Sequence, residues 1–118
     1  MSRESTHRIE SRREGDVTII ACQGRITLGL ASNTLRILLR EALEGGAKKV
    51  VVDFTGATQL DSTGIGELVG ALSLANERGA ALRLAGMPPK IRELLRITRL
   101  DTVFDVREGL QEALRSLE

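Results

Sequence analysis

The residues best suited to carry a function lie in a short polar segment near the middle of the chain, Asp61-Ser62-Thr63-Gly64. This carboxylate and these hydroxyls directly precede an apolar pattern typical of a helix. Their oxygens can therefore accept hydrogen bonds from the N–H groups of the first helical turn. A serine at such a position is exposed, and the helix dipole there tolerates added negative charge. The segment can serve as a plain helix N-cap, or Ser62 can be a site of phosphorylation.

The charge around this segment differs from that of the chain as a whole. Residues 53–67 contain Asp53, Asp61 and Glu67 and no basic residue, whereas the whole chain has a net charge of +1. A phosphate on Ser62 would add about −1.5 to −2 charges beside Asp61 and, we expect, near Asp53. Like-charge repulsion and desolvation then favour disruption of an interface over an intramolecular arginine clamp.

Segments typical of strands and helices alternate along the chain, which predicts an α/β fold. A turn at 14–16 joins two strands into an opening hairpin, and three consecutive valines in 49–54 suit a central strand covered on both faces. The alternation predicts a mixed, mostly parallel sheet of four to five strands, flanked by about four helices. The predicted strands are 7–13, 17–22, 49–54, 81–85 and 102–106; the predicted helices are 31–44, 62–76, a short one opening at Pro88-Pro89, and a final one carrying Leu110 to Leu117.

Composition excludes several classes of function. The net charge of +1 gives no general attraction to nucleic acid or anionic lipid, and only two aromatic residues argue against base-stacking or sugar-binding platforms. One cysteine and one histidine cannot form a disulfide or a tetrahedral zinc site within the chain. No apolar run approaches the roughly 18 residues of a membrane helix. We expect one cytoplasmic domain, 1–118, with a flexible terminus at 1–7, no metal or cofactor, and a monomeric or weakly dimeric state.

Three other kinds of site fit the central segment less well. The glycines after Ser62 have the spacing of neither common phosphate-binding loop. Asp53 ends a strand as a phosphoacceptor aspartate would, but residues 22–24 lack the acidic pair that would hold Mg²⁺. Ser62 as a catalytic nucleophile would need a base, and His7 is the only histidine. No catalytic residue and no enzymatic activity are expected.

Two secondary features leave their roles open. Residues 83–99 carry five basic residues against Glu93, and Arg92, Arg96 and Arg99 could share one helix face. That face could be simply solvated, or it could dock an acidic partner. Cys22 alternates with Ile20 on a predicted strand, which indicates a small buried hydrophobic residue rather than a redox site.

The string LDSTGIGELV at 60–69 resembles the signature of the STAS domain, as found in bacterial anti-sigma factor antagonists. The resemblance covers about 8–117: residues 24–26 look like the family's turn after the second strand, and 49–54 look like its central strand. The family's closing segment resembles the run of Leu94-Leu95, Leu100, Val103 and Phe104. One departure is Thr27, which stands where many antagonists have an acidic residue, so any role of that carboxylate is in doubt here.

The resemblance implies a partner switch. In this family the unphosphorylated antagonist binds an anti-sigma factor that is an ATP-dependent serine kinase, and so releases a sigma factor. The kinase phosphorylates the residue corresponding to Ser62, the complex dissociates, and a PP2C-type phosphatase resets it. The implied partner-binding residues are Asp61, Ser62, Thr63, Gly64, Ile65 and Glu67. An alternative is a STAS scaffold serving a transporter or sensor complex, with Ser62 as a structural cap.

Overall fold

The computed structural model describes residues 7–118 as one sheet with four α-helices. The expected flexible terminus at 1–7 lies outside the described residues, apart from His7, which begins the first strand. The elements in chain order are β1 His7–Glu14, β2 Val17–Ile26, α1 Leu30–Glu44, β3 Lys49–Leu60, α2 Ser62–Arg78, β4 Ala81–Ala85, α3 Pro89–Ile97, a 3₁₀ turn Leu100–Thr102, β5 Asp105–Arg107 and α4 Leu110–Arg115.

The sheet has the order β1-β2-β3-β4-β5, with β3 at its centre. β1 and β2 form the predicted antiparallel hairpin, and every later pair of neighbours is parallel. Each parallel connection therefore needs a crossover, which α1, α2 and α3 supply in turn. The predicted α/β architecture is confirmed.

Helices cover the sheet on both faces. α1, α2 and α3 pack on one face, where Leu35, Leu68 and Leu95 meet Val50 and other residues of the main core. This is the arrangement that successive right-handed crossovers in one direction produce. α4 packs on the opposite face, where a smaller cluster contains Val17, Ile19, Val51, Ala85, Ala113 and Leu117. The three valines of β3 are fully buried, as expected for a strand covered from both sides.

Strands β2 and β3 are longer than the sequence predicts. Residues 24–26, interpreted as a turn, continue β2, and β3 runs on from Phe54 to Leu60. In this added half, β3 gains one residue on β2 at each of two places, between Ala21 and Gln23 and between Gly24 and Arg25. Such bulges bend and twist a strand. They allow pairing to continue through a stretch whose apolar pattern is irregular.

The prediction for the last strand is wrong in position. Thr102 belongs to the 3₁₀ turn, and β5 is only Asp105–Arg107. The apolar pair Val103 and Phe104 suggested a strand, but Phe104 is buried in the main core while Val103 is 55% exposed. The chain turns just before, at Arg99, whose φ of 64° begins the 3₁₀ turn.

Candidate functional site

Asp61 connects the start of α2 to the loop between β2 and α1. Its Oδ1 accepts a hydrogen bond from the Gly64 N–H at 3.1 Å, which is the N-cap interaction that the sequence predicts. Its Oδ2 accepts from the Leu28 N–H at 2.8 Å, 33 residues away in sequence. One carboxylate therefore caps α2 and holds the 27–29 loop against it.

These bonds stabilise the charged form of Asp61. Partial desolvation acts to raise the pKa of the carboxyl, but the backbone N–H groups of Leu28, Gly64 and Thr63 act in the other direction and hold it below its ordinary value of 3.8. The carboxylate is consequently ionised at neutral pH, next to Ser62.

The predicted partner-binding residues differ in exposure. Ser62, the first residue of α2, is exposed, and Thr63 is half-buried. Gly64 and Ile65 are buried, with Ile65 in the main core. A Cβ on Gly64 would lie 2.5 Å from Leu60 Cδ1 and 3.2 Å from the Ile26 carbonyl oxygen, so this position admits no side chain without movement. Gly64 and Ile65 thus set the position of the helix start, and Ser62 is presented outward from it.

Glu67 lies on the side of α2 that faces α1. Its carboxylate is 3.9 Å from Arg36 Nε, and the Arg36 guanidinium also donates to Asn33. Because the pair is partly exposed and its charges are 3.9 Å apart, it contributes little to stability. On the outer side of α2, Ser62, Gly66 and Val69 follow one another at helical spacing and are all exposed.

The sequence interpretation missed exposed apolar side chains at the loop that Asp61 holds against α2. Leu28 is 77% exposed and Leu30 is 70% exposed, and the Leu28 backbone is bound to Asp61. The sequence signal for this exposure was that Leu28 and Leu30 flank Gly29 and lie outside the apolar pattern of the predicted helix 31–44. Thr27, at the position that is acidic in many antagonists, accepts a backbone bond from the Ser32 N–H through its carbonyl.

The expected proximity of Asp53 to Ser62 is wrong. β3 continues from Asp53 to Leu60, and this extended stretch separates the two by roughly 20 Å. Asp53 instead accepts bonds from the Thr55 N–H at 3.0 Å and the Thr55 hydroxyl at 2.6 Å.

Desolvation and, to a lesser extent, the charge of Asp53 raise the pKa of buried Cys22 to about 12. The prediction that Cys22 is a small buried residue is confirmed.

The basic segment is a partly neutralised surface. Arg92 pairs with Glu108 at 3.0 Å, and Arg96 pairs with Glu93. Arg99 lies beyond the end of α3, so the three arginines do not share one helix face.

Within residues 7–118, no three His, Cys, Asp or Glu side chains are grouped so that they could hold a metal ion. In the same range, no helix is long and apolar enough to cross a bilayer.

A central parallel strand that leads into an N-capped helix, with an antiparallel hairpin at the sheet edge, defines a STAS-like fold. The STAS domain model matches residues 8–113, and the chain belongs to this family. Among its relatives, the anti-sigma-B factor antagonist of Staphylococcus aureus is 30% identical over 77 residues, covering 65% of this chain and 71% of the relative. Within this family, the chain is therefore related by sequence to anti-sigma factor antagonists.

Solved structures share the whole fold. An anti-sigma factor antagonist from Mycobacterium paratuberculosis superposes with a TM-score of 0.86 at 17% identity, covering 98% of this chain and 97% of that one. A sulfate transporter family protein from Wolinella succinogenes has a TM-score of 0.76 at 20% identity, covering 87% of this chain and 85% of that one. The fold therefore occurs in both kinds of protein.

Proposed function

We propose that this chain is a phosphorylation-controlled anti-sigma factor antagonist. Unphosphorylated, it binds an anti-sigma factor that is an ATP-dependent serine kinase, through the surface formed by Asp61, Ser62, Thr63 and Glu67 with Leu28 and Leu30. Binding releases the sigma factor. The kinase then phosphorylates Ser62, the complex dissociates, and a PP2C-type phosphatase removes the phosphate.

The observation that carries the proposal is the position of Ser62. Its side chain is exposed at the first residue of α2, directly after a capping carboxylate and shortly before the buried pair Gly64 and Ile65. A kinase can reach such a hydroxyl without unfolding the helix. The anti-sigma-B factor antagonist relative supports the assignment of the partner class.

Local charge explains why a phosphate would weaken an interface here. Asp61 is already ionised and already accepts the N–H groups of Leu28 and Gly64, so a phosphate on Ser62 meets a carboxylate whose nearby donors are taken. The exposed Leu28 and Leu30 favour a dry contact, which a dianion opposes through its desolvation cost. A loss of about 1.4 kcal/mol is tenfold in affinity, so a few kcal/mol makes an effective switch.

The test combines phosphate mapping with binding. The full chain is incubated with ATP and purified anti-sigma kinases of the source organism, and the modified residue is identified by mass spectrometry. We expect phosphate on Ser62, none on the Ser62→Ala variant, and normal modification of Ser73→Ala, a control at an exposed serine on the same helix. Calorimetry should show that Ser62→Asp binds the kinase at least tenfold more weakly than the wild type.

Two results would contradict the proposal. One is modification of Thr63 instead of Ser62. The other is equal kinase affinity of wild type and Ser62→Asp, which would favour the alternative of a STAS scaffold in a transporter or sensor complex with Ser62 as a structural cap.

A further inference from the structure

Strand β1 is an open edge of the sheet. It pairs with β2 along its full length, from Glu14 opposite Val17 to His7 opposite Gly24, and no other strand among residues 7–118 lies on its outer side. Its eight residues give an edge about 27 Å long. An edge of this length can pair with another strand unless its side chains prevent it.

The charges on one face of β1 alternate in sign. Arg8, Glu10, Arg12 and Glu14 share a face because side chains on a strand alternate in direction, and all four are exposed. The register places Arg12 opposite Ile19, so this is the face that α4 covers farther along the sheet. Within the strand, Arg8 lies 2.8 Å from Glu10, and Arg12 lies 3.9 Å from Glu14.

This order of charges is complementary to itself when reversed. If two copies of β1 align antiparallel with Ser11 opposite Ser11, Arg8 of one copy faces Glu14 of the other. In the same register Glu10 faces Arg12. Because the alignment is two-fold symmetric, each pair occurs twice, and all eight charges on this face meet an opposite charge. Cross-strand pairs of opposite charge stabilise a sheet.

Neighbouring registers lack this complementarity. Only alternate residues of β1 direct their backbone N–H and C=O groups away from β2, and these are the groups that must pair with the second copy. The register can therefore shift only by two residues at a time. One such step in either direction places Glu10 opposite Glu10 or Arg12 opposite Arg12. Larger shifts that restore opposite charges leave only a few residues of β1 paired. The full-length register centred on Ser11 is therefore the favoured one.

We propose that β1 binds a second copy of this chain, forming a two-fold dimer with a continuous ten-stranded sheet. The two-fold symmetry pairs the β1 edges of both copies with each other. No unpaired β1 is then left to which a third copy could bind. Because α1 contacts β1, the two α1 helices lie on the same face of the joint sheet, on either side of the symmetry axis.

The dimer goes beyond the proposed switch and does not cover it. Ser62 follows the carboxyl end of β3, whereas the symmetry axis passes through Ser11, which pairs with Ile20 in the middle of β2. Antiparallel joining of the two sheets places the two Ser62 sites at opposite ends. Each copy can then bind its own partner, and the charge of Ser62 does not affect pairing.

The test uses charge reversal in the full chain, with association measured by sedimentation equilibrium. In a dimer of Arg12→Glu, the introduced glutamate of each copy faces Glu10 of the other. In a dimer of Glu10→Arg, the introduced arginine of each copy faces Arg12 of the other. We expect each variant to raise the dimer dissociation constant tenfold or more. An equimolar mixture of the two variants restores every opposite pair, so it should form heterodimers with near wild-type affinity.

Two controls separate this result from misfolding and from the switch. The double variant E10R/R12E exchanges the charges within one chain and should dimerise like the wild type. Ser62→Asp should also dimerise like the wild type, whatever its affinity for a kinase. A wild type that stays monomeric at millimolar concentration would overturn the proposal, as would a mixture that fails to form heterodimers; the alternating charges would then be a protection against edge pairing.

Discussion

The first turns of α1 and α2 lie side by side and are built differently. α2 begins after Asp61, whose side chain caps it, and its first turn is fixed by buried Gly64 and Ile65. α1 begins after Gly29, which has φ 113° and ψ −135° and provides no side-chain cap. The first turn of α1 carries exposed Leu30, and the bond from the Leu28 N–H to Asp61 connects the loop before it to α2.

This difference assigns different tasks to the two helix starts. The start of α2 is capped and packed into the core, so we expect that a phosphate on Ser62 would alter the local charge without moving the backbone. The start of α1 presents apolar surface and depends on α2 for its position, because the Asp61 carboxylate belongs to both. Damage to α2 should therefore spread to the Leu28 loop, whereas damage to the Leu28 loop should leave the start of α2 in place.

The largest expected effect on stability comes from adding a methyl group at Gly64. Gly64→Ala places a methyl group 2.5 Å from Leu60 Cδ1, and Leu60 is itself buried, so the core must shift. We expect the free energy of unfolding to fall by ~1–3 kcal/mol, measured by urea denaturation.

Gly66→Ala is the matched control. A Cβ at Gly66 meets nothing within 4 Å, and alanine is the better helix former in a helix interior. We expect the free energy of unfolding to rise by ~0.5–1 kcal/mol. If both variants lost the same free energy of unfolding, Gly64 would be no more tightly packed than Gly66. The start of α2 would then not differ from that of α1 in its packing.

Asp61→Ala should have the next largest effect, and it tests the link between the two helix starts. Loss of the cap should lower the free energy of unfolding by ~1–2 kcal/mol. The Leu28 amide should also exchange its hydrogen faster, because its acceptor is gone. Asp61→Asn keeps a capping oxygen and should lose less. Unchanged exchange at Leu28 in the alanine variant would show that the two helix starts are independent.

The smallest effect is the acid dependence of the same carboxylate. Because the folded pKa of Asp61 lies below 3.8, its stabilising contribution is fully present above that pH and is lost as the pH falls through the folded pKa. The difference in unfolding free energy between wild type and Asp61→Asn should be constant at neutral pH and shrink as the pH falls below 3.8 and through the folded pKa. A difference that grows on acidification would mean that the folded protein raises this pKa.

Local signals made much of the α2 start predictable. The cap at Asp61, the beginning at Ser62 and the left-handed Gly79 that ends the helix each follow from residue types within a few positions. The buried valines of β3 were equally clear, because an unbroken β-branched run suits a strand covered on both faces.

Long-range contacts decided what the sequence left open or misplaced. The bond from the Leu28 N–H to Asp61 spans 33 residues, and no local pattern indicates it. Asp53 was expected near Ser62 because the second half of β3 lacks a regular apolar pattern, although pairing with β2, across two bulges in β3, keeps this half extended. Phe104 was predicted to lie in a strand because it is apolar. Apolar character alone does not distinguish a strand residue from a residue before the strand whose side chain enters the core, as that of Phe104 does.

The two bulges between β2 and β3 also bear on how the family can diversify. Each adds a residue to β3 after the fully buried valines and before Asp61, so the pairing tolerates a change in length there. An insertion or deletion in this stretch can rotate or shift the start of α2 while the register of the core half of the strand stays the same. The direction of α2 can thus change independently of the residues that keep the domain folded.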